Sequence, residues 1–190
     1  MIALLLALAL AAPPAPAAPL PRVAVRTELG DLVIEVDVIH APVSARNFLR
    51  YVDAGRYGGG AFHRTVTTSP DNQPGKAVKI DVIQAGAAPG QDFPPVALER
   101  TRDTGLSHVD GAVSMARDGP DTATSDFFVC VGAQPALDFG GKRNPDGQGF
   151  AAFGRVVSGM EVVRRIHAAP AKGQSLLPPV KIDGASRAAP

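Results

Sequence analysis

SDFFVCVG, Ser125–Gly132, is built of aromatic and β-branched residues and closed by glycine, which marks a short strand. Side chains alternate faces along a strand, so Phe127 and Val129 share one side while Asp126 and Phe128 share the other. The same rule in VKIDVIQAG (Val78–Gly86) sets Ile83 against Val82 and Gln84. In GAFHRT (Gly60–Thr65) it places Phe62 and Arg64 on one side, which makes Phe62 a candidate substrate-binding residue beside the arginine. Ile83, Phe127 and Val129 claim the core. Val82, Gln84, Asp126 and Phe128 then face outward, with Arg64 beside them where the strands are neighbours. An outward phenylalanine framed by arginine, glutamine and aspartate has the anatomy of a binding site. On the Phe62–Arg64 pair alone, an arginine snorkelling over a sheet exterior is the simpler account.

The rest of the chain supplies more strands than helices. RVAVRTELGDLVIEVD reads as a hairpin about Leu29–Asp31. APVSARNFLRYVDAG follows as a helix with proline near its first turn and Gly55 at its end. AFHRTV, VKIDVIQAG, PVALE, GAVSMA, DFFVCVG, AAFGRVV and PVKID are further strands. One more helix, SGMEVVRRIHA, has Ser158 as candidate N-cap and Arg164, Arg165 and His167 late in the segment. So many short strands joined by glycine- and proline-rich turns predict a mostly β fold, an antiparallel sheet closed into a barrel and plugged by two helices, because an open sheet would leave edges exposed. Two long loops, TTSPDNQPGKA and DFGGKRNPDGQG, carry no periodicity.

Composition narrows the function classes. The 190 residues, 45% hydrophobic and 19% charged, suit one globular domain, and a net charge of +1 without basic clusters argues against nucleic-acid binding. Four scattered histidines and a lone Cys130 give no metal-ligand spacing, and no cofactor is expected. Gly147-x-Gly149-x-x-Ala152 matches a dinucleotide fingerprint formally but leads into β-branched residues rather than a helix. The apolar run MIALLLALALAA, followed by Ala15-Pro16-Ala17, reads as an exported leader too short to span a bilayer, although it lacks a basic start. Expected boundaries are a signal peptide at 1–17, a proline-rich linker at 18–22, the folded domain at 23–184 and a flexible tail at 185–190. The expected location is periplasmic or secreted, with no stable membrane span.

FHR, VIQAG, GAVSMARDGPDTATSDFFVCVG and FAAFGRVVSGMEVV, in this order between Val23 and Asp183, resemble the successive signature blocks of the cyclophilin-type peptidyl-prolyl cis-trans isomerases. The resemblance implies a closed eight-stranded antiparallel β-barrel capped by two α-helices, with a proline-binding groove on its exterior. It implies Arg64 as the catalytic arginine, Gln84 as the holder of the substrate backbone and Phe128 as the ring beneath the proline. Val82 and Leu137 fall at apolar pocket positions, and Ala116 and Arg117 in the segment that pairs with an extended substrate. Phe150 replaces the histidine of many eukaryotic members and resembles the bacterial branch. Departures are Asp126 for the commoner glutamine, Ala136 for an aromatic and Asp81 for a pocket-wall phenylalanine, which predict a more polar and more open groove. The stretch from 66 to 79 is longer than in the shorter members.

An arginine suffices for such chemistry. Amide conjugation sets a barrier of roughly 18–20 kcal/mol to rotation about the peptide bond. Twisting breaks the conjugation and returns a lone pair to the prolyl nitrogen, which a guanidinium N–H then meets. The partners implied are proline-containing polypeptides, bound by a monomer. His63 should point away from the groove by alternation. Asp126 either orients Arg64 or occupies its N–H groups. Two other readings are a proline-binding chaperone or interaction module with little turnover, and a hollow β-barrel carrier of small ligands.

Overall fold

The computed structural model describes residues 18–189. The expected leader at 1–17 lies outside the described residues. A hairpin, β1 (Arg22–Thr27) and β2 (Gly30–Val36), leads into helix α1 (Pro42–Asp53). Strands β3 (Ala61–Val66) and β4 (Val82–Gly86) follow, then a one-turn helix α2 (Thr101–Thr104), β5 (Ala112–Met115) and β6 (Phe127–Cys130). A 3-10 turn at Pro135–Leu137, β7 (Ala151–Ser158), helix α3 (Met160–His167), a two-residue β8 (Ala171–Lys172) and the long β9 (Ser175–Ala188) complete the chain.

Eight strands close a ring in the order β1-β2-β7-β5-β6-β4-β3-β9 and back to β1, each pairing antiparallel. β8 lies outside the ring as a short hairpin on β9. Closure leaves no unpaired edge in the ring, the outcome expected of strands this short and numerous. It is made by β1 against the far half of β9, from Arg22 opposite Ala188 to Thr27 opposite Ile182. The segment expected as a tail is therefore, as far as Ala188, the strand that seals the barrel, and Arg22 already belongs to the first strand. VKIDVIQAG becomes a strand only from Val82, and PVALE contributes a single bridge, Val96 opposite Ala123.

The barrel interior is filled. Phe127 sits among Phe48, Tyr57 and Phe62, with ring centroids 5.3, 5.5 and 6.0 Å away and all three pairs edge-on, the arrangement in which the positive edge of one ring meets the negative face of another. Ile83, Val113, Val129 and Phe153 are fully buried in the same cluster. Phe48 and Val52 of α1 and Val162, Val163 and Ile166 of α3 join it, so both longer helices plug the barrel with their apolar faces. No room remains for the hollow carrier reading.

Helix α1 takes its cap from a distant loop. Its N-cap residue, Ala41, makes no side-chain bond, and no acid lies in the first turn. Glu99 instead accepts hydrogen bonds from the backbone N–H groups of Val43 (3.0 Å) and Ser44 (2.7 Å). A carboxylate there satisfies two orphan donors and meets the positive end of the helix dipole. Glu99→Ala is expected to lower stability by about 1–2 kcal/mol in a denaturant titration. At α3 the expected Ser158 cap is instead the last residue of β7. Gly159 takes the N-cap with φ +92°, where a Cβ would overlap the backbone of Asp31 and Leu32.

Candidate active site

A bulge in β3 answers the question raised by Phe62 and Arg64. Phe62 pairs with Ala85 of β4 and Arg64 with the adjacent Gln84, so His63 and Arg64 together oppose one residue. The extra residue breaks strict alternation. Phe62 turns into the barrel, fully buried against Phe127, and cannot touch a ligand on the exterior. Its assignment as a substrate-binding residue is corrected on that ground. Arg64 turns outward. His63, expected to point away, is partly exposed and lies 3.5 Å from the Asp126 carboxylate.

Outside the barrel wall, a second apolar cluster of Val66, Ile80, Val82, Ala112, Phe128, Cys130 and Leu137, flanked by Ala116 and Phe150, floors a groove of about 390 Å³. Arg64, Val82, Gln84, Ala116, Arg117, Asp126, Phe128, Leu137 and Phe150 all line it. Phe128 forms the flat part of the floor. His108 stacks beneath it, with centroids 5.8 Å apart and planes 13° from parallel, and Phe150 meets it edge-on at 5.4 Å. Burial pushes the Cys130 thiol well above its ordinary pKa, so it behaves as an apolar floor residue.

A chain of hydrogen bonds fixes Arg64. Nη1 donates to Gln84 Oε1 at 2.9 Å, while Nε and Nη2 both donate to Gln174 Oε1 at 2.9 and 2.5 Å. Gln84 Nε2 donates in turn to Asp126 Oδ2 at 2.8 Å. A guanidinium only donates and a carboxylate only accepts, so the Gln84 amide has one orientation open to it. Asp126 therefore acts on Gln84 and leaves the guanidinium free of a carboxylate. Gly86 makes room for it, since a Cβ there would overlap Asp126 Oδ1. Three of the five guanidinium N–H groups are engaged, leaving two for a ligand. Burial lowers the Arg64 pKa from its ordinary value, yet an arginine remains charged.

Gln174, 110 residues from Arg64 in the chain, was invisible to strand alternation because it lies in the turn between β8 and β9. Its own Nε2 donates to Asn72 O at 3.1 Å. That ties the clamp to the long loop after β3. Gln174→Ala is expected to lower kcat roughly tenfold, the usual penalty for loosening one hydrogen-bonded catalytic group, with KM nearly unchanged. Steady-state kinetics on a proline peptide separate the two.

The two long loops frame the groove. In the first, Gln73 is buried, its amide bonded to Thr67 O and Ile80 O and its carbonyl to Ile80 N. Asp81, expected on the pocket wall, faces elsewhere. It accepts from Thr68 N and Oγ1, both at 2.8 Å, and pins the base of that loop. The guanidinium of Arg117 donates to Asp146 and to Gly149 O of the second loop and lies 5.1 Å from the Phe150 ring centroid, which makes it a strut between that loop and the groove wall.

Beneath Phe128, Asp138 Oδ1 meets His108 Nδ1 at 2.7 Å, and His108 Nε2 lies 3.0 Å from Ser114 Oγ. The order matches a nucleophilic triad. Ser114 is fully buried, though, and its hydroxyl meets no ligand-accessible space. The three residues brace the floor, a role that sequence spacing did not reveal.

The site is thus an external groove on a closed eight-stranded antiparallel barrel, floored by Phe128 and edged by the clamped Arg64. The family model described as cyclophilin type peptidyl-prolyl cis-trans isomerase/CLD matches residues 22–187. Peptidyl-prolyl cis-trans isomerase A of Dickeya dadantii is 37% identical over 146 residues, covering 76% of this chain and 70% of that protein. Isomerase cyp18 of Streptomyces antibioticus is 34% identical over 148 residues, 76% of this chain and 81% of the relative. Isomerase CYP18-2 of Arabidopsis thaliana is 33% identical over 153 residues, 77% of this chain and 80% of the relative, so similar proteins occur in bacteria and eukaryotes alike. A crystal structure of a cyclophilin-type isomerase from Cryptosporidium parvum, in the presence of the dipeptide Ala-Pro, superposes with a TM-score of 0.68 at 21% identity over 89% of this chain and 99% of the other, which supports the fold. The chain belongs to the cyclophilin-type peptidyl-prolyl cis-trans isomerase family.

Proposed function

We propose that the groove accelerates rotation about X–Pro bonds in unfolded or extended polypeptides, with the proline ring on Phe128, Val82 and Leu137 and the prolyl nitrogen facing Arg64. The observation that carries this reading is the clamp. A guanidinium fixed by Gln84 and Gln174 beside an apolar perch, in a residue that lines the groove, keeps two N–H donors unengaged. The planar imide offers its nitrogen no lone pair. The twisted transition state does, so the bond forms only where it speeds the reaction. An acceleration of about five orders of magnitude requires on the order of 7 kcal/mol, and one charge-assisted hydrogen bond together with ring anchoring contributes a large share.

The apolar start of the chain and its small-residue site support an exported protein that assists folding outside the cytoplasm, and Phe150 supports the bacterial branch. N-terminal sequencing of the mature product from the cell envelope tests the export, with a start near Ala18 expected and an intact Met1 contrary to it. Isomerase activity is tested by protease-coupled or exchange measurements on a short X–Pro peptide. Ordinary binding without acceleration would favour a proline-binding module instead.

A further inference from the structure

The groove is electrically polarised along its length. Arg64, Gln84 and Phe128 lie side by side at its middle, as their pairing in β3, β4 and β6 requires. At one end, where Ala116 N bonds Asp126 O, the lining residues are Asp118, Thr122, Thr124 and Asp126. Beyond Val82 and Ile80, the two long loops bring the cations Lys76 and Arg143 into the lining. Arg143 is half-buried and held in place: its Nη1 donates to Gln73 Oε1 at 2.9 Å and to Val78 O at 2.7 Å. Both partners are neutral. Among the described residues neither Arg143 nor Lys76 has a carboxylate partner, whereas the fourth groove cation, Arg117, is neutralised by Asp146. Burial and the nearby Arg64 charge both push the Arg143 pKa down, the environment of a cation that gains from an incoming anion. Fixing the guanidinium beforehand with neutral acceptors reduces the ordering cost of capturing one.

We propose that Arg143 and Lys76 form a carboxylate subsite that selects substrates with an aspartate or glutamate immediately after the proline. The position rests on the reading of the groove as an isomerase site, in which the residues before the proline run beside Ala116 and Arg117 and those after it leave past Ile80. Asp118 and Asp126 at the opposite end disfavour an acidic residue before the proline. One charge-assisted hydrogen bond in a half-buried site corresponds to a preference of about tenfold.

The test uses the full chain and amidated peptides of the form Ala-Ala-Pro-X-Ala, with X as glutamate, glutamine or lysine, plus a Glu-Pro-Ala isomer and a peptide whose free C-terminal carboxylate follows the proline. Binding is followed by NMR titration and turnover by exchange. Expected is an order glutamate over glutamine over lysine in kcat/KM and in affinity, about tenfold from first to last, shrinking as salt is raised. Arg143→Gln should bring the ratio close to one, and Arg143→Lys should keep most of it. Tighter binding of the free-carboxylate peptide alone, a preference for the acid before the proline, or rates indifferent to charge would overturn the subsite while leaving isomerase activity standing. Charge-ordered binding with no acceleration of any peptide would uphold the subsite and remove the isomerase reading.

Discussion

Arg64→Ala is expected to lower kcat/KM on a short X–Pro peptide by about a hundred- to a thousandfold, the scale seen when one pre-aligned donor to a transition-state charge is removed. The melting temperature should shift by no more than about 4 °C, because the bonds lost are to two glutamines at an open groove that water can reach, a net cost of about 1 kcal/mol. Arg64→Lys keeps the charge but cannot hold the fork that Gln84 and Gln174 grip, so most of the loss should persist. Turnover that survives either change would take Arg64 out of the mechanism. A large fall in melting temperature would show that the clamp serves the fold instead.

Phe127→Ala carries the largest expected effect on stability. The ring is fully buried and touches Phe48, Tyr57 and Phe62 edge-on, in a barrel wall whose closed ladder of strands cannot collapse inward to fill the space. Truncation of a buried phenylalanine costs about 3–5 kcal/mol, here nearer the upper value, and lowers the melting temperature by about 10–20 °C. Calorimetry measures it. The neighbouring Phe128→Ala provides the contrast: its ring faces the groove, and the main loss should be in KM, with a smaller change in melting. Equal melting changes for the two would mean that inside and outside of this strand are not distinguished as described.

Much of the groove was legible in the sequence because strand alternation is a two-state rule. In SDFFVCVG and DVIQAG it sorted inward from outward residues without reference to any other part of the chain. The same rule misassigned Phe62 and His63, since a single extra residue in β3 inverts the face of everything before it and no glycine or proline marks the place. Asp81 failed for a different reason: its pocket-wall place was implied by the resemblance, whereas the strand starts only at Val82, four residues after the start that VKIDVIQAG suggests, and the carboxylate turns to Thr68. The end of the chain was read as a tail because SRAA has little β propensity, whereas its pairing partner, β1, lies more than 150 residues away. Long-range partners were the general gap. Gln174 for Arg64, Glu99 for α1 and Asp138 for His108 each depend on loops whose paths are set by the closed barrel, and local pattern carries no record of them.

The most direct measurement of the central claim is NMR exchange spectroscopy of one X–Pro peptide with the wild type and with Arg64→Ala, yielding the dissociation constant and the on-enzyme cis-trans rate from the same spectra. A donor that bonds the twisted imide and not the planar one predicts dissociation constants within about threefold of each other and on-enzyme rates at least a hundredfold apart. Affinity and rate falling together, or a rate left unchanged, would contradict it.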